Sequence, residues 1–314
     1  MPILVPKGLP AYNILRDEGV FVMTRVRGSV QDIRPLKIVI VNLMPTKEVT
    51  ETQLIRMLAN TPLQVELYLL TMDTDQHIKD ADKPHMNLFY QTYNQIRNQK
   101  FDGMIITGAP LEKLPFEEVD YWDEFSDLMD YSRNNVFSTI HICWGAQAAF
   151  YHHYGIQKNI LDEKLFGVFP HKILQKSVFT RGFDDVFYVP HSRHSQVYTE
   201  QIQKVDELKV IAESEQAGPH LTITNNNRWL FVQGHWEYDR DTLRAEYSRD
   251  KARGLADVKV PFNYFIDDDP DKPVNMSWRG HANLFYTNWL NYVYQNTPFD
   301  LEELENLDWE VKDE

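Results

Sequence analysis

Through the first half of the chain, apolar positions fall in short β-branched runs separated by longer amphipathic stretches. Residues 37–43 (KIVIVNL) form one such run, ended by Met44-Pro45, the pattern of a strand buried on both faces. Residues 47–59 follow with Val49, Leu54, Ile55, Met57 and Leu58 at helical spacing and Thr46 in the N-cap position, which predicts a helix. Residues 64–70 predict the next strand, and the polar stretch 71–84 leads to a predicted helix over 86–98. A strand over 102–107 is broken by Gly108-Ala109-Pro110. A helix over 121–133, a strand over Val136–Ile142 and a helix over Trp144–Tyr154, closed by Gly155, complete the series. This alternation predicts an α/β fold with a doubly wound, mostly parallel sheet and helices on both faces.

The second half is less regular. Short strands are expected over 186–189, 209–213, 220–224 and 229–233, the last two joined by an Asn225-Asn226-Asn227-Arg228 hairpin turn. Helices are expected over 239–253 and 282–295. Residues 1–35, with an apolar run at 20–26 and Arg-Gly-Ser and Arg-Pro punctuation, read as an irregular or lightly structured N-terminal arm. Residues 36–299 then form the principal domain, and 300–314 an acidic, solvated tail.

Charge narrows the classes of function. Lys and Arg number 32 against 46 Asp and Glu, a net charge of −14, which argues against a nucleic-acid surface or general affinity for anionic membranes. No stretch approaches the ~20 apolar residues that span a bilayer. The N-terminal Met-Pro-Ile-Leu-Val-Pro-Lys lacks a leader pattern, so a cytoplasmic enzyme is expected. The single cysteine, Cys143, excludes an internal disulfide and any zinc site built on two or four cysteines. His191-Ser192-Arg193-His194 and His152-His153 lack the acidic or thiol neighbours of a metal motif, so no metal is expected. Neither G-x-G-x-x-G nor a P-loop occurs, which weighs against a dinucleotide or nucleotide site.

The sharpest local feature is His141-Ile142-Cys143-Trp144-Gly145-Ala146-Gln147. A thiol between a strand and a helix projects from the carboxyl edge of the sheet, at a helix N-terminus whose partial positive charge favours thiolate. Taken alone, a buried structural cysteine is an equal alternative. A second feature changes the balance: Gly234-His235-Trp236-Glu237 follows a predicted strand, and His and Glu two residues apart in extended chain share a face. His235 can then act as a base toward Cys143, with Glu237 fixing its tautomer.

Together these segments, with Asn42-Leu43-Met44-Pro45, Phe101-Asp102-Gly103, Thr107-Gly108-Ala109-Pro110, Thr180-Arg181-Gly182-Phe183-Asp184-Asp185, Pro190-His191-Ser192-Arg193 and Thr287-Asn288-Trp289-Leu290-Asn291-Tyr292, resemble the homoserine O-acyltransferase family MetA. The resemblance runs from Met1 to about Asp300. It implies a flavodoxin-like, three-layer fold similar to class I glutamine amidotransferases, and transfer of an acyl group from acyl-coenzyme A to the hydroxyl of L-homoserine in methionine biosynthesis. It also implies ping-pong kinetics through a Cys143 acyl-thioester, with His235 as base and Glu237 as its orienting carboxylate. Lys164, Ser192 and Arg249 match substrate-binding positions, and Lys47 is a further candidate. The Trp144 amide and one from the Gly108-Ala109 turn, with Ala109 the candidate there, are the candidate oxyanion donors. No cofactor beyond the acyl-coenzyme A co-substrate is implied, and the family suggests a homodimer.

Within the family, Glu after Gly-Ala-Pro-Leu resembles the acetyl-coenzyme A-using branch, whereas succinyl users carry Gly; this chain has Glu112. The expected donor is therefore acetyl-coenzyme A. Alternatives are a succinyltransferase, serine as acceptor, a glutamine amidotransferase subunit, and a non-catalytic thiol-bearing member of the fold.

Overall fold

The computed structural model describes residues 3–17, 22–24, 34–75, 81–255 and 258–307. Every residue of Phe101–Ile106 and Val136–Ile142 is buried, which places both runs inside a sheet covered on its two faces. In chain order the strands are β1 (Ile3–Val5), β2 (Val22–Thr24), β3 (Leu36–Val41), β4 (Val65–Thr71), β5 (Tyr90–Thr92) and β6 (Phe101–Ile106). They continue as β7 (Val136–Ile142), β8 (Asn159–Ile173), β9 (Val186–Gln196), β10 (Leu208–Ser214), β11 (Gly218–Thr224) and β12 (Trp229–Val232). All belong to one sheet of order β2-β1-β4-β3-β6-β7-β12-β11-β10-β8-β9, with β5 beside β4. Pairings from β2 to β12 are parallel and those from β12 to β9 antiparallel, so the doubly wound, mostly parallel α/β architecture is present.

Two apolar cores lie on opposite faces. One packs Leu54, Ile55 and Leu58 of the Lys47–Leu58 helix with Phe285, Trp289 and Leu290 of the Arg279–Asn296 helix. The other packs Phe125, Leu128 and Met129 of the Trp122–Asn135 helix with Ala146, Ala149 and Phe150 of Trp144–Tyr154. Because β3, β6, β7 and β12 are parallel neighbours, their carboxyl ends bring residues 42–47, 107–112, Cys143 and 234–237 to one edge. Among the described residues no helix is long and apolar enough to cross a membrane.

Several expectations change. The helix expected over 86–98 is two short helices, Lys83–Phe89 and Tyr93–Ile96, divided by β5. Pairing of Tyr90–Thr92 with β4 and burial of the Tyr90 hydroxyl against Glu51 and Asn42 override local helix preference there. Where described, the N-terminal arm joins the sheet: β1 pairs with β4, and Leu9, Ala11 and Leu15 are buried beside it. Part of the 20–26 run lies outside the described residues. The strand expected over 186–189 extends to Gln196, and its partner β8 was not expected at all. In the tail, Leu301–Asn306 forms a 3-10 turn with Leu301 and Leu304 buried, and the Lys100 ammonium lies 2.7 Å from Glu305. Residues 308–314 lie outside the described residues.

Candidate active site

β7 runs straight into the Trp144–Tyr154 helix, and the one residue between them, Cys143, takes φ 51° and ψ −114°. Positive φ at a residue with a side chain is strained by about 1–3 kcal/mol and persists only where the surroundings hold it. Here the Cys143 amide donates to the Val232 carbonyl at 2.7 Å, and the Cys143 carbonyl accepts from the Gln147 amide at 3.1 Å. The helix approaches so closely that a Cβ at Gly145 would lie 2.7 Å from the Thr107 carbonyl oxygen. On the other side, a Cβ at Gly108 would stand 3.3 Å from the Cys143 Cβ and 3.6 Å from the Trp144 nitrogen. The Gly108-Ala109 turn therefore flanks the thiol, and the Trp144 amide, at the first helical position, has no intrahelical acceptor.

His235 follows β12 on the adjoining strand, held by its amide donating to the Pro190 carbonyl at 2.8 Å. Its ring faces Cys143 and is hydrogen-bonded to Glu237, with 2.6 Å between Nδ1 and Glu237 Oε1. Cys143, far away in sequence, thus meets the His235-Glu237 pair. Burial pulls the imidazole down, but the Glu237 carboxylate, with its hydrogen bond, and the facing Cys143 side chain outweigh it and raise its pKa to about 10. The ring is therefore an imidazolium at neutral pH, facing the Cys143 side chain. Tyr238 stacks on the His235 ring at 4.2 Å, a contact that sequence spacing did not reveal.

Lys164 on β8, Ser192 on β9 and Arg249 on the Thr242–Ala252 helix converge on two acids absent from the sequence expectations, Glu246 and Asp250. Lys164 Nζ lies 2.7 Å from Glu246 and 3.3 Å from Asp250. The Ser192 hydroxyl donates to Glu246 at 2.8 Å, and the half-exposed Arg249 guanidinium binds Asp250 at 2.7 Å. The missed signal was helical spacing: Glu246 stands one turn before Arg249, with Asp250 beside it. Burial raises the Glu112 carboxyl pKa, and the charges acting on it include those of His235, Glu246 and Lys164. Lys47 is different: its ammonium donates to the Asn42 carbonyl at 2.6 Å and lies 4.0 Å from Asp75. It lines a cavity of about 240 Å³ beside Ala109 and Leu111 rather than the Lys164–Arg249 cluster.

A model of the family described as homoserine O-succinyltransferase matches residues 2–299. The chain belongs to this family. Curated relatives carry a narrower name. A homoserine O-acetyltransferase of Acetivibrio thermocellus is 55% identical over 307 residues, which is 97% of this chain and all of the relative. Another from Clostridium acetobutylicum is 55% identical over 96% of this chain and all of that relative. Among solved structures, a glutamine amidotransferase from Thermotoga maritima aligns with TM-score 0.52 at 10% identity, covering 83% of this chain and 99% of its own. One from Methylobacillus flagellatus aligns with TM-score 0.51 at 12% identity, covering 83% and 95%. At such identities the likeness is one of fold.

Proposed function

We propose that this protein transfers the acetyl group of acetyl-coenzyme A to the hydroxyl of L-homoserine, giving O-acetyl-L-homoserine for methionine biosynthesis, through an acetyl-thioester on Cys143. The observation that carries this is the Cys143–His235–Glu237 chain at the elbow, joined to a neighbouring cluster of paired charges. The Cys143 thiolate attacks the thioester carbonyl, and the tetrahedral oxyanion draws on the Trp144 amide and the Gly108-Ala109 turn. The coenzyme A thiolate leaves and takes the proton held by His235. The now neutral imidazole removes the hydroxyl proton of homoserine as that oxygen attacks the acetyl-thioester, and collapse returns the thiolate–imidazolium pair.

The acceptor is a zwitterion, and the cluster has complementary charges. Arg249 and Lys164 suit its carboxylate, and Glu246 and Asp250 suit its ammonium, with Ser192 tying Glu246 in place. Lys47 borders the adjoining cavity as a lesser candidate for the donor's side of the site. No cofactor beyond the co-substrate is needed, and the working form is a cytoplasmic homodimer, which light scattering would test.

Glu112 favours acetyl over succinyl. A succinyl chain ends in a carboxylate that would meet a partly buried acid bordering His235, where repulsion is weakly screened. Product identification by mass spectrometry with both donors and with homoserine or serine tests the assignment. The native protein should make O-acetyl-homoserine, and Glu112→Gly should shift kcat/KM toward succinyl-coenzyme A by at least about tenfold, equivalent to ~1.4 kcal/mol. Native preference for succinyl would refute the donor, and glutamine hydrolysis without coenzyme A would favour the amidotransferase alternative.

A further inference from the structure

Beneath the catalytic pair lies a polar cluster that the mechanism above does not use: Arg193, His171, His191 and His220, all with 0% exposure. Arg193 donates to His191 Nδ1, to the Gln233 carbonyl at 3.4 Å, to the Ala217 carbonyl at 2.6 Å and to Gln196 Oε1 at 3.2 Å. Every acceptor is neutral. Among the described residues no carboxylate pairs with this guanidinium, and burying an unpaired cation is costly unless another charge compensates it.

Hydrogen-bond accounting fixes the histidines. Arginine only donates, so His191 Nδ1 accepts and its Nε2 carries the proton, which goes to His171 Nε2 at 3.2 Å. His171 Nδ1 donates in turn to the Phe169 carbonyl at 2.9 Å. His220 Nδ1 accepts from the Gly234 amide at 3.2 Å. Ring nitrogens of these three histidines lie within 4.8 Å of one another, a metal-sized group that the sequence did not suggest. A cation on the Nε2 atoms would need protons on Nδ1 of His191 and His220, where Arg193 and Gly234 already donate. The cluster is therefore a chain of donors and acceptors organised around Arg193.

We propose that Arg193 is a positioning residue for the catalytic pair: with His191 and His220 it pins the Gln233-Gly234 peptide that carries His235, and it sets a fixed positive charge toward the Cys143 thiolate. The inference rests on the role given above to Cys143 and His235. The Val232 carbonyl accepts the Cys143 amide, and Arg193 grips the next carbonyl along, that of Gln233. The following amide, Gly234, is held by His220, and the one after it, His235, by the Pro190 carbonyl. There is no slack, since a Cβ at Gly234 would lie 2.4 Å from Val189 Cγ1 and 2.8 Å from His191 Cε1. Burial pulls the guanidinium down to about 10 against the opposing Cys143 charge, so it stays protonated at neutral pH. The groups facing it, His171, His191 and His220, are driven neutral chiefly by burial, and those facing the thiolate are His235 and Tyr238.

The test is the pH dependence of Cys143 alkylation by iodoacetamide, unambiguous in a chain with one cysteine, beside single-turnover acetylation. Arg193→Gln, with fold checked by circular dichroism, should slow alkylation at about pH 6 by tenfold or more. Acetylation should fall by roughly 10–100-fold, with the homoserine KM little changed. Arg193→Lys should recover the low-pH alkylation more than the acetylation, because it keeps charge but not the fork. A folded Arg193→Gln with native alkylation and acetylation would overturn the proposal. If that variant does not fold, His235→Asn decides: Cys143 should still alkylate below the ordinary thiol midpoint of about 8.5, and a midpoint at or above it would overturn the proposal. Failure of the native protein to acetylate at Cys143 would count against the catalytic reading instead.

Discussion

Replacing His235 with Asn lowers turnover by roughly 10²–10⁴, the range for loss of a general acid–base group. Both half-reactions should suffer, because the same imidazole gives its proton to departing coenzyme A and takes the proton of the homoserine hydroxyl. The contacts make the loss specific. Asn can keep the backbone bond to Pro190, yet it offers no exchangeable ring proton to Cys143 and no Nδ1–H to Glu237. Rapid-quench measurement of coenzyme A release and of homoserine-dependent discharge separates the steps. An effect confined to one step would mean that another group serves the other.

Glu237→Gln should cost about as much as the equivalent change in a Ser-His-Asp triad, on the order of 10⁴ in turnover, although the side chain keeps its shape. Burial alone would pull the His235 pKa down, and the Glu237 carboxylate is the largest influence opposing it. Without that charge the imidazolium is lost in the neutral range, and with it one of the two cations facing the Cys143 thiolate. The variant's acetylation rate should climb with pH across the range where the native rate is flat, and the native rate should fall as pH passes through about 10. The same shift links to stability: because the folded pKa lies above the ordinary 6.5, the contribution of His235 is full below 6.5 and is lost as pH rises through about 10. Near-native turnover in Glu237→Gln would remove the carboxylate from the mechanism.

The parts legible in the sequence are those whose pattern is local. Val136–Ile142 and Trp144–Tyr154 were bounded to the residue, because an uninterrupted apolar strand, a tight elbow and a terminal glycine each leave a local mark. β8 left none: Asp162-Glu163-Lys164, Gly167 and Pro170 disguise a 15-residue strand whose pairing with β9 is long-range. That omission hid the convergence of Lys164 and Ser192 on Glu246, since β8 and β9 bring the two side chains to the helix that bears the acid. Arg193 and the histidines around it were invisible for the same reason, being gathered from β8, β9 and β11. The His-x-x-His spacing gave no hint of this, because the histidines that His191 meets are His171 and His220.

A covalent acetyl-enzyme is the central intermediate, and intact-mass measurement after mixing the protein with acetyl-coenzyme A alone tests for it most directly. One acetyl group should appear on Cys143 with an equal amount of free coenzyme A, and L-homoserine should discharge it as O-acetyl-L-homoserine. Continued turnover with no adduct on Cys143 and no coenzyme A released before homoserine is added would contradict it.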